Sequence, residues 1–164
     1  MLVPSTDNPY EKLSQAQQLM SAGRPIPAER IALDSLEIFN STNDLIGQGE
    51  ANFFLGIFYK SKSGWKNVSR EEFINKSISH LSNSAQVFVS AGENIQASKS
   101  TFELGQAYRG LDNTEQVCSS YSESLRLFNS NVGSHKTFKI NNPKYNSAKE
   151  LIQAHIDGLC NENV

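Results

Sequence analysis

Long apolar runs are missing from this 164-residue chain; nothing in it approaches the roughly 18 residues that a membrane span requires. A charge imbalance is missing too. Fifteen Lys and Arg stand against 17 Asp and Glu, which excludes the basic footprint of a nucleic-acid binder and the acidic block of a solvating tail. Of the three histidines, His80, His135 and His155, none has a second ligand three or four residues on, as a zinc-binding helix would supply. Gly47-Gln48-Gly49 lacks the third glycine of a dinucleotide turn and follows no strand, and no phosphate loop occurs. The two cysteines, Cys118 and Cys160, have no local base or acid that marks a nucleophile. These absences predict a protein without metal, cofactor or catalysis. The start, Met1-Leu2-Val3-Pro4-Ser5, has no basic stretch followed by an apolar one. The expected chain is soluble, in the cytoplasm or, if an upstream signal has been removed, in the periplasm or outside the cell.

What is present is helical periodicity. Apolar residues recur at intervals of three and four, and nothing reads as a strand hairpin. Seven helices are predicted, at 11–21 (opened by Asn8-Pro9), 28–40, 44–59, 69–90, 94–108, 114–129 and 143–159. Gly23, Pro25 and Pro27 read as the stop after the first. Ser69 with Glu72 forms a capping box, while Gly92 and Gly110 stand where left-handed C-caps are expected.

The chain is also similar to itself. Leu36-Glu37-Ile38-Phe39 pairs with Ala85-Gln86-Val87-Phe88, and Leu55-Gly56-Ile57-Phe58-Tyr59 with Leu104-Gly105-Gln106-Ala107-Tyr108, each 49 residues on. Leu125-Arg126-Leu127-Phe128 follows the second copy of the first motif by 40 residues. A mid-helix glycine costs about 1 kcal/mol relative to alanine, so Gly56 and Gly105 at equivalent places point to close helix approach.

The stretch Leu104-Gly105-Gln106-Ala107-Tyr108, followed by Gly110, Asp112, Tyr121 and Ser124-Leu125, resembles the tetratricopeptide repeat (TPR). Leu55-Gly56-Ile57-Phe58-Tyr59, with Leu81, Ser84 and Ala85, resembles a second copy lengthened by an insertion at 61–70. The pattern departs from the family at Asn52, Thr101, Ser77 and Val117. The resemblance implies an all-α stack of antiparallel helix hairpins, a TPR-like α-solenoid forming one domain over 1–164.

In that family the first helix of each repeat lines a concave surface. The matching places here are Glu50, Phe53, Ile57 and Lys60 in one copy, and Lys99, Phe102, Gln106 and Arg109 in the other. The two phenylalanines would give apolar contact, and Lys60 and Arg109 would hold an acidic segment or a C-terminal carboxylate. Trp65, in the insertion, is a second candidate contact. If the last two helices are antiparallel neighbours, Cys118 and Cys160 meet at one end. A disulfide closing a loop of roughly 40 residues would contribute about 4 kcal/mol; two buried free thiols are an equal reading. The function expected is recognition of a protein or peptide by an adaptor, assembly factor or chaperone-like subunit, with self-association left open. The alternatives are an immunity-type inhibitor that blocks a partner enzyme through its insertions, and an enzyme on a helical frame.

Overall fold

The computed structural model describes residues 5–161. Among these residues are seven α-helices, α1 (Pro9–Ser21), α2 (Pro25–Ser41), α3 (Leu45–Lys62), α4 (Arg70–Ser90), α5 (Asn94–Arg109), α6 (Thr114–Asn129) and α7 (Ala148–Leu159); turns join the first six, and a longer segment, 130–147, with one 3₁₀ turn, η1 (His135–Thr137), leads to the last. No strand occurs among the described residues. Each helix packs on the next, so that α1/α2, α3/α4 and α5/α6 form three hairpins and α7 closes the stack against α6.

Start and stop signals act as local chemistry requires. Asn8 caps α1 by accepting from the Tyr10 amide at 2.9 Å, Asp44 caps α3 from Gly47 at 2.9 Å, and Ser69 caps α4 from Glu72 at 3.3 Å. Such caps satisfy amides that have no partner inside the helix. Gly23 and Gly92 adopt φ of 73° and 74°, the left-handed conformation that costs glycine nothing.

Several boundaries differ from the sequence reading. Pro25 and Pro27 do not stop a helix; both sit in the first turn of α2, where a missing amide is tolerated. At the end of α5, Gly110 has φ −63°, and Asp112, at φ 54°, makes the left-handed turn instead. The predicted insertion is shorter than 61–70, because α3 runs on to Lys62. α7 starts at Ala148, capped by Ser147, and not at 143.

The first hairpin is a repeat as well. Ser35 Oγ donates to the Pro9 carbonyl at 2.8 Å, Ser84 Oγ to that of Gly49 at 2.8 Å, and Ser124 Oγ to that of Ser98 at 2.7 Å. The donors step by 49 and then 40 residues, the acceptors by 40 and then 49, so one interhelix bond recurs in all three hairpins. The close approach expected from Gly56 and Gly105 recurs with it. A Cβ at Gly56 would lie 2.5 Å from Leu81 Cγ, and one at Gly105 would lie 2.6 Å from Tyr121 Cε1; Leu81 and Tyr121 are themselves 40 residues apart.

Cys118 and Cys160 are disulfide-bonded, with Cα atoms 5.6 Å apart. This ties the C-terminal end of α7 to the first half of α6.

Two outcomes follow. Gly56→Val and Gly105→Val should each lose about 1–3 kcal/mol in urea denaturation through overpacking, whereas Gly158→Ala in α7, where a Cβ would meet nothing within 4 Å, should be neutral or stabilising by a few tenths of a kcal/mol. Native protein alkylated in denaturant without reductant should carry no label on either cysteine.

Candidate functional site: a groove across the first helices

The first helix of each hairpin faces the same side of the stack, and there they enclose a groove of about 340 Å³. Its floor is apolar, made by Phe53, Phe54 and Ile57 of α3 with Phe88 of α4 beneath. Gln17 of α1 closes one side, Gln96, Lys99 and Ser100 of α5 the other, and Thr137 of η1 overhangs the rim.

Two charges in the groove are only half exposed. Lys99 Nζ lies 4.7 Å from the centroid of the Phe53 ring, close enough for cation–π attraction. Burial pulls the ammonium below the usual lysine range, with Glu103 partly opposing it. Glu50 has no hydrogen bond or ion pair among the described residues, and burial, followed by the neighbouring Asp44 carboxylate, pushes its carboxyl upward. Glu103 thus offsets the desolvation of Lys99 only in part, and no cation is paired with Glu50 among the described residues.

Of the residues singled out in the sequence, Glu50, Phe53, Ile57 and Lys99 therefore meet in one groove. The others part from them. Phe102 is only 4% exposed: Tyr121 stacks on it at 5.3 Å, His155 of α7 meets it edge-on at 5.0 Å, and Phe138 lies 6.3 Å away. Phe102 is core, because the segment before α7 and α7 itself fold over it. Lys60, Gln106 and Arg109 line a separate depression with Arg70 at the far end of α3 and α5. There Lys60 is bound to Glu103. Gln106 Oε1 accepts from Tyr121 Oη at 2.5 Å and from Arg109 Nη1 at 3.3 Å. Of the two cations expected to hold a carboxylate, Lys60 already has one inside the chain.

Trp65 does not line the groove either. It meets Phe58 edge-on at 6.1 Å and lies 5.7 Å from Lys62 Nζ. Lys62 also stands 4.7 Å from Phe73 and 3.4 Å from Glu29, so the indole, 38% exposed, belongs to an aromatic cluster around an internal cation.

Residues missed in the sequence are Gln17, Phe54, Phe88, Gln96, Ser100 and Thr137. Gln17 stands 40 residues before Ile57, the same step that relates Pro9 to Gly49, so the repeat register of α1 would have found it. Thr137 carries no such signal. Asn52, a departure from the repeat pattern, is buried and bonds His80 Nδ1 at 2.8 Å.

Among the described residues no three His, Cys, Asp or Glu cluster as metal ligands would, and no helix is long and apolar enough to cross a membrane. Compared with known proteins, the chain matches no family model, no curated protein and no solved structure.

The raised Glu50 pKa fixes the sign of a test. A carboxyl whose folded pKa is raised destabilises the fold above that pKa and costs nothing below the unfolded value, where both states are protonated. Glu50→Gln should therefore raise the urea midpoint at pH 7, and the gain should vanish below about pH 4.

Proposed function

We propose that this protein is a TPR-like interaction module that receives a protein or peptide partner in the groove across α1, α3 and α5, as an adaptor, assembly factor or chaperone-like subunit. One observation carries the reading: Glu50 and Lys99 are held half-buried, at a desolvation cost, over a floor of partly exposed aromatic and aliphatic carbon. Within the chain Lys99 is met by the Phe53 ring and by Glu103, and Glu50 by no cation among the described residues. A partner that supplies apolar side chains to Phe53, Phe54 and Ile57, and polar groups to the two charges, would recover the cost.

An acidic or C-terminal carboxylate segment of the partner would reach Arg109 and Arg70 at the end of α5, with Lys60 joining only if it leaves Glu103. From Phe53 to Arg109 the ligand would run along the first helices, the direction in which helix-lined grooves present successive side chains. The alternative, an inhibitor that blocks a partner enzyme through its insertions, would use Trp65, which is 38% exposed while resting on Phe58 and Lys62.

The test is site-specific photo-cross-linking in native extract. A photoreactive phenylalanine at position 53 should give discrete adducts that are lost on Ile57→Asp, while the same group at Gln86, an exposed residue of α4, should give none. Equal adducts from both positions, or adducts unaffected by Ile57→Asp at unchanged melting temperature, would place recognition elsewhere.

A further inference from the structure

Phe102 is the counterpart of Phe53, 49 residues on, yet Phe53 is open to the groove and Phe102 is shut away. The helices that carry them are not the difference; the cover is. Phe138, in the segment between α6 and α7, and His155 of α7 lie against the Phe102 ring, and Thr137, one residue before Phe138, already forms the groove rim.

That cover is lightly held. α7 has 12 residues, a length at which an isolated helix is marginal in water. It buries Ala148 and Ile152 and packs Leu151, Ile156 and Leu159 partly against the core, and no described helix follows to clasp its other side. The segment before it is fixed by a few bonds to the start of α5, notably the Ile95 amide to the Val132 carbonyl at 3.0 Å and Asn94 Nδ2 to Ser130 Oγ at 3.0 Å. What closes the arrangement covalently is Cys118–Cys160, at the end of α7 farthest from that segment. Both cysteines are partly exposed.

We infer that the disulfide is a latch: its reduction frees α7 and the segment holding Phe138, and uncovers Phe102 as a second aromatic position of the groove. The inference rests on the groove reading for its consequence, but the unlatching is measurable without a partner. A dithiol protein or small-molecule dithiol supplies the two electrons and two protons. Its thiolate attacks one sulfur, the mixed disulfide resolves on the second thiol, and the reductant leaves oxidised while Cys118 and Cys160 become thiols. Reduction thereby removes the cross-link's share of the closed form's stability, which it supplies by limiting the open state's freedom, and leaves the packing alone to hold the cover.

Hydrogen exchange and hydroxyl-radical footprinting of the full chain, oxidised and after reduction with thiol release confirmed by alkylation, decide the matter. Exchange in 133–159 should rise at least tenfold on reduction, labelling of Phe102 and Phe138 should increase, and α1–α4 should stay unchanged; a Cys118→Ser/Cys160→Ser double variant should match the reduced form. Unchanged protection of α7 in the fully reduced chain would overturn the latch. So would loss of protection throughout α1–α6, which would make the bond a global staple. Failure of the cross-linking at position 53 would instead remove the groove reading and leave the latch standing.

Discussion

The stack depends on how closely the two helices of each hairpin can approach. Ser35, Ser84 and Ser124 are each fully buried and give their hydroxyl to a carbonyl of the facing helix. A carbonyl oxygen already engaged in the helix ladder retains a second lone pair, so the serine is satisfied without breaking a backbone bond. The residue must also be small, because anything larger would push the helices apart and void the packing around it. Gly56 and Gly105 impose the same limit one and a half to two turns along, where Leu81 and Tyr121 fill the space that a Cβ would need. Serine abundance, which in composition alone suggests loops or disorder, is in this chain a packing device.

This explains which parts of the fold could be read from sequence. The boundaries of α6 and the paired glycines follow from local signals and periodicity, and both agree with the structure. The first hairpin escaped because its marks are small residues: Pro9 and Ala16 stand where α3 has Gly49 and Gly56, and nothing in Pro9 advertises a recurring carbonyl contact. Pro25 and Pro27 point either to a stop or to a start, and only the register of α2 decides. Phe102 looked equivalent to Phe53 because the sequence repeats truly; what separates them is a segment without periodicity, 130–147, whose path no repeat predicts.

Charge is handled differently in the two depressions along the first helices. Near the middle of the stack, Glu50 and Lys99 are half-buried against apolar carbon, Lys99 over the Phe53 ring. At the far end Lys60 is paired with Glu103, and Arg109 donates to the neutral Gln106 amide. Net charge is close to zero in the whole chain, yet its distribution is uneven, with partly desolvated charge in the groove and an ion pair at the far end.

The unequal repeat lengths have a geometric result. α4 begins at Arg70, four residues before the place that the 40-residue step from Thr114 gives, so its first turn overhangs its neighbours by about 6 Å. A projecting turn has no flanking hairpin to cover it. Its Phe73 is instead roofed by Tyr59, stacked at 6.0 Å, and by the ammonium groups of Lys62 and Lys76. Cations thus serve as a wettable skin over aromatic rings, and Arg70, bonded to the Gly110 carbonyl at 2.7 Å, moors the ledge to the next hairpin.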